Sequence, residues 1–197
     1  EDGSLLNVPW WGDDPDFNKS DWALDTVELY EWRGFLFASL SPEMPLEDQL
    51  GALVSEIEDE PIERYKWVHE ERLVFDANWK IYTDNFVEGY HIPGIHPKFH
   101  SAIEFEKFET IALEGMVKMT APPREELFYR GKWLWMWPNW TLSLFDGGMN
   151  TSRINPINHH ETELIYNFYF EDISKNNAPK RAKIIADNLE VIREDFE

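Results

Sequence analysis

The spacing of hydrophobic positions changes character several times along the chain, and each change marks an element. Thr26–Trp32 and Phe35–Leu40 are β-prone runs on either side of Arg33-Gly34, the pattern of a β-hairpin. Leu46, Leu50, Leu53, Val54 and Ile57 recur at helical spacing and predict one short amphipathic helix from Leu46 to Glu58. Tyr65–Phe75 reads as a strand, and Asp76 as the N-cap of a following helix. In that helix Trp79, Tyr82, Phe86 and Tyr90 form a stripe expected to be buried, with Pro93-Gly94 ending it. From about Phe105 the pattern turns to strands: Phe108–Met119, Lys132–Trp137, Trp140–Phe145, Thr151–Ile157 and Thr162–Phe170. Turn signals separate them at Gly147-Gly148 and around His159-His160-Glu161. Beyond Pro179, Ile185, Leu189, Ile192 and Phe196 return to helical spacing. This order of elements predicts an α+β fold, with helices packed on one face of a curved antiparallel sheet.

Residues 1–25 differ in texture: turn residues are dense, with Trp10, Trp11, Phe17 and Trp22 among them, so an ordered loop-rich segment is expected. Ser41-Pro42-Glu43-Met44-Pro45 punctuates the chain and is the candidate domain boundary, dividing 1–44 from 45–197.

Composition narrows the function classes. Eighteen basic against 38 acidic residues leave a formal charge of −20, which argues against nucleic acid and against an anionic membrane surface. No apolar run is long enough to cross a bilayer, so a globular, cytoplasmic protein is expected. There is no cysteine, which excludes disulfides and thiolate-held metals or clusters within this chain. Metal ligands must therefore come from six His and the many carboxylates. The ends, Glu1-Asp2-Gly3 and Glu197 in mid-helical pattern, look like cuts in a longer protein.

The most informative stretch runs from Asn78 to Pro97. His91 and His96 are five positions apart, which on a continuous helix turns their side chains roughly 140° away from each other. Pro93-Gly94 lies between them, and a chain break there would let both imidazoles face one ion. Asp84, Glu88 and His91 are spaced 4 and 3 and share a helical face, so Glu88 is placed to fix the tautomer of His91. Asn85 adjoins the aromatic stripe and needs a polar partner there. Imidazole plus carboxylate ligation with open positions is the pattern of non-haem Fe(II) oxygenases.

Asn78-Trp79-Lys80, then Asp84-Asn85-Phe86-Val87-Glu88-Gly89-Tyr90-His91, then His96-Pro97, closely resembles the catalytic-domain motif of Rieske-type non-haem iron oxygenase α subunits, the aromatic-ring-hydroxylating oxygenases. Asp2-Gly3-Ser4-Leu5 through Phe35–Pro42 looks like the tail of the family's Rieske domain. Trp137-Pro138-Asn139 and Tyr166–Phe170 are similar to strands of its catalytic domain, a helix-grip (START/Bet v1-like) fold with a long C-terminal helix.

The resemblance implies that His91 and His96 ligate a mononuclear Fe(II). It further implies that Asp195, in Arg193-Glu194-Asp195-Phe196, completes the triad. The stripe Ile184, Asn188, Val191 and Asp195 agrees with an inward-facing Asp195. It also implies that Glu88 bridges to a cluster-ligating His of a neighbouring subunit, and that Asn85 lies close to the iron without being a strong ligand. At the Glu88 position, Glu is common among members acting on quaternary amines and other non-ring substrates.

The full protein would then carry a 2Fe–2S Rieske cluster and take electrons from NAD(P)H through a reductase or ferredoxin. It would form a homotrimer or other homo-oligomer. It would use O2 to hydroxylate, dihydroxylate or demethylate a small aromatic or quaternary-amine substrate. Residues 1–44 would be the Rieske-domain tail without its cluster-binding part, and 45–197 the catalytic domain, inactive without the cluster. Two alternatives stay open: a helix-grip module that only binds an apolar ligand, and a different mononuclear metal hydrolase. His100 is a possible backup ligand. Trp133, Trp135 and Trp137 are either core or the wall of a substrate cage. His69, His159 and His160 have no assigned role.

Overall fold

The computed structural model describes residues 2–12, 14–124 and 129–196; the chain-end residues Glu1 and Glu197 lie outside them. The chain divides into two compact units, Glu1–Leu46 and Glu47–Glu197. In the first, Asn18 caps a 3-10 turn over Lys19–Trp22, and Phe17 contacts the rings of Trp11 and Trp22. Strands β1 (Glu28–Trp32) and β2 (Phe35–Ser39) pair antiparallel with Trp32 opposite Phe35. Arg33 (φ 50°) and Gly34 (φ 87°) both take left-handed backbone, as a two-residue loop matched to strand twist requires. The carboxylate of Glu31 accepts from the Gly34 N–H and holds this turn.

In the second unit the helix expected over 46–58 is two short helices, α1 (Leu46–Leu50) and α2 (Ala52–Glu56). Gly51 separates them at φ 41°, a backbone region closed to most side chains. Leu50, Leu53 and Ile57 are nevertheless all buried, so the apolar face survives the break.

Seven antiparallel strands follow: β3 (Lys66–Phe75), β4 (Glu109–Leu113), β5 (Met116–Thr120), β6 (Lys132–Met136), β7 (Trp140–Phe145), β8 (Gly148–Asn158) and β9 (Glu161–Phe170). Their order is β3-β9-β8-β7-β6-β5-β4. Phe108–Met119, read as one strand, is the hairpin β4–β5, because Gly115 turns the chain at φ 68°. β3 and β4 are the two edges of the sheet, so residues 76–108 connect one edge to the other. Both histidines of interest lie on this connection.

A long helix, α6 (Ala178–Glu194), packs on the sheet through Ile184, Leu189, Val191 and Ile192. They join Phe145, Ile154, Leu164 and Phe168 in one core, and the last four are fully buried. Within it Asn188 donates to the Ile184 carbonyl (2.9 Å), and its Oδ1 accepts from Asn150 Nδ2 on β8 (2.9 Å). A backbone carbonyl can only accept, so this network fixes which way both amides point. The fold is α+β, a large antiparallel sheet gripping a C-terminal helix.

Candidate metal centre

The connection between β3 and β4 builds half of the site. Helix α3 (Trp79–Val87) is capped by Asn78 rather than Asp76: Asn78 Oδ1 accepts from Lys80 N at 3.0 Å, while its amide donates to the His159 carbonyl at 3.1 Å. Asn78 has the extended backbone an N-cap needs, and its side chain serves both the helix and the β8–β9 turn.

The helix ends at Val87, earlier than Pro93-Gly94 predicts. Glu88 is extended, and at Gly89 a Cβ would meet the Phe108 ring at 2.5–3.0 Å. Only a glycine fits against that ring, and with the helix already ended Tyr90 falls outside the expected buried stripe, 93% exposed. Pro93 and Gly94 instead belong to a single turn, α4 (Ile92–Ile95), where a proline in the first turn gives up no helical hydrogen bond. His91 and His96 flank α4 as its two caps. His96 leaves helical dihedrals (φ −116°, ψ 67°) before α5 (Pro97–Ala102), and this turn brings the two rings to 5.0 Å.

Asp195, the C-cap of α6, supplies the other half. Its Oδ1 lies 3.0 Å from His96 Nε2, 3.8 Å from His91 Nε2 and 3.0 Å from Asn85 Nδ2. Donor atoms of His91, His96 and Asp195 fall within 4.8 Å of one another. The far side of each ring is engaged: His91 Nδ1 with Glu88, and His96 Nδ1 with Glu194 Oε2 at 2.8 Å. Both Nε2 atoms therefore face the Asp195 carboxylate. Two imidazoles whose outer nitrogens meet carboxylates, plus one carboxylate, fit a divalent first-row metal. Burial pulls the pKa of His96 down, but its hydrogen bonds to Asp195 and Glu194 outweigh burial and leave it raised.

A cavity of about 80 Å³ adjoins these groups, walled by Phe99, Phe108, Tyr129, Trp133 and Tyr166. Of the three alternating tryptophans only Trp133 reaches it; Trp135 is buried elsewhere in the core, and Trp137 is 56% exposed. The hydroxyls of Tyr82 and Tyr166 meet at 3.2 Å beside the cavity. Burial pushes the first well above its usual pKa and the second up to about 12, so both stay protonated at neutral pH.

His100 packs at a tilt against Phe105 and is not in the three-residue cluster. His69 pairs with Glu71 at 3.3 Å, and His159 and His160 are exposed. Glu194 and the tyrosine pair escaped the sequence reading. Two consecutive acids at a helix C-terminus were the available signal for Glu194; nothing distinguished the tyrosines from core.

Gly89→Ala tests the local construction. The added methyl must displace Phe108 or the 88–91 backbone, so a loss of about 1–3 kcal/mol in stability and a weaker metal site are expected. Thermal unfolding and metal titration of the variant check this; wild-type values in both would contradict it.

Residues 62–125 match the family model of the ring-hydroxylating alpha subunit catalytic domain. Across 98% of its length the chain is 22% identical to choline monooxygenase, chloroplastic, from Amaranthus tricolor, covering 47% of that protein. It is 26% identical to the carnitine monooxygenase oxygenase subunit of Escherichia coli K12, over 86% of the chain and 49% of the relative. A crystal structure of the quaternary ammonium Rieske monooxygenase CntA superposes with a TM-score of 0.81 at 22% identity, covering 99% of this chain and 55% of that one. Over nearly its whole length the chain is thus similar to oxygenase α subunits of this kind, and residues 62–125 carry the match to their catalytic-domain model. It spans about half the length of the curated relatives it matches, 47% and 49% for the two named here. No helix among the described residues is long and apolar enough to cross a membrane.

Proposed function

We propose that this chain is the catalytic part of an oxygenase α subunit in which His91, His96 and Asp195 hold a mononuclear Fe(II). The observation that carries the reading is the orientation of both rings, with carboxylates at Nδ1 and both Nε2 atoms turned to one aspartate. The bound metal would supply the centre at which O2 is reduced with electrons from outside this chain. The protein's own part is positioning. Asn85 fixes the Asp195 carboxylate, Glu88 orients His91, and aromatic side chains wall the adjoining cavity. Glu88 is also the residue through which electrons would arrive from a neighbouring subunit's cluster. Residues 1–44 are the tail of the Rieske domain, and the complete protein is a cytoplasmic homo-oligomer served by a reductase or ferredoxin.

The substrate we infer is a small quaternary amine. Aromatic faces beside two acidic side chains of the cavity lining, Glu88 and Asp195, favour a cation over a carboxylate. Relatives bear the names choline, carnitine and glycine betaine monooxygenase, and others the names 2-halobenzoate and anthranilate dioxygenase. A helix-grip module that merely holds an apolar ligand leaves the two carboxylate-backed histidines without purpose.

Iron analysis and visible spectroscopy of the full-length protein test the proposal, together with O2 uptake on adding candidate amines. One mononuclear iron beyond the cluster and amine-dependent uptake are expected. A protein with the cluster iron alone would overturn it.

A further inference from the structure

The ring of His96 is gripped on both nitrogens by consecutive residues of α6. Asp195 stands 3.0 Å from Nε2 and Glu194 2.8 Å from Nδ1. The reading above uses Asp195 and gives Glu194 nothing to do, yet Glu194 sits where stability alone does not want it. It occupies the last turn of a 17-residue helix and is followed by a second carboxylate, at the end where the helix dipole disfavours negative charge. Arg193, the cation of that turn, extends instead to Glu71 on β3 at 2.8 Å. The partner found for the Glu194 carboxylate is His96, a residue 98 positions away and almost wholly buried, with its side chain 2% exposed. His91 has a counterpart in Glu88, but that one comes from three residues earlier in the same loop. The two rings are thus backed in different ways, one locally and one by the helix that also carries Asp195.

We propose that Glu194 is a positioning residue of the metal centre. It accepts the Nδ1–H of His96, fixes the tautomer whose Nε2 lone pair faces the metal position, and ties that lone pair to the helix turn that presents Asp195. The inference rests on the reading of His91, His96 and Asp195 as ligands. Removing the carboxylate leaves a buried imidazole N–H without its acceptor and frees the ring to change tautomer. Carboxylates in this relation to a ligating histidine typically contribute 10–100-fold in metal affinity.

The test uses metal-free full-length protein titrated anaerobically with Co(II), and nitrogen-15 spectra of the imidazoles with Zn(II) bound. Glu194→Ala should bind Co(II) about 10–100-fold more weakly. Glu194→Gln, which keeps a neutral acceptor, should fall between that variant and wild type. The His96 Nδ1–H resonance should be sharp in wild type and broadened or lost in Glu194→Ala. A merely structural glutamate would lower the melting temperature without moving this resonance, and that result counts against the proposal. Should Glu194→Ala fail to fold, Glu194→Gln decides alone. If wild type binds Co(II) through His91 and both variants match it, this inference falls and the ligand reading stands. If wild type binds no Co(II), or His91→Ala binds it equally well, both fall.

Discussion

His91→Ala leaves the chain folded and without bound Fe(II). The imidazole caps α4 without a side-chain hydrogen bond to its backbone, so truncation removes no helix cap. Its side chain is 18% exposed, and its partner Glu88 is more open still, so a carboxylate left behind can meet water. The stability cost should be about 1 kcal/mol, which for a chain of this size is a shift of roughly 2–4 °C in melting temperature. Metal affinity should fall by more than the roughly hundredfold expected from losing an outer carboxylate, because a donor atom itself is gone. Anaerobic Fe(II) titration with circular dichroism on the same samples makes the measurement. Unchanged iron stoichiometry would remove His91 from the site.

The opposite profile is expected of Phe168→Ala. Phe168 is fully buried near the C-terminal end of β9, between Asn150 of β8 and His69 of β3, with ring contacts to His69 and Tyr166. The substitution opens a cavity beneath α6, and the lost burial and contacts together cost about 3–5 kcal/mol. That corresponds to a fall of roughly 10–15 °C in melting temperature. Denaturant unfolding should show a lower midpoint with an unchanged slope. A loss below about 1 kcal/mol would mean that the core repacks around the gap.

Much of the fold was legible because the elements carry their own period. The Arg33-Gly34 hairpin, the strands that became β6–β9 and the stripe of α6 all follow from local patterning. Where the reading missed, a tertiary contact was responsible. The chain leaves helical dihedrals at Glu88, and the Phe108 ring, nineteen positions beyond Gly89, packs where only a glycine fits; no property of the 78–97 segment announces that contact. With the helix stopped at Val87, the stripe through Tyr90 has no helix to belong to. Pro93-Gly94 was the stronger local signal, yet proline is at ease in the first turn of α4. Among site residues, His91, His96 and Asp195 were named from the motif, and their donor atoms lie together. Glu194 was not, because its role depends on an approach between residues 98 positions apart.

The amide bridge from Asn188 to Asn150 gives α6 the character of a measuring rod. Asp195 lies seven residues beyond Asn188, about 10 Å along the axis at 1.5 Å per residue. The far end of that rod meets two histidines set by the turns on either side of α4. The spacing of the three donor atoms is therefore calibrated in the interior of the sheet, two helical turns from the site. Families of such proteins would be free to exchange the aromatic lining for new substrates without recalibrating the centre, as long as that interior mark stays in place.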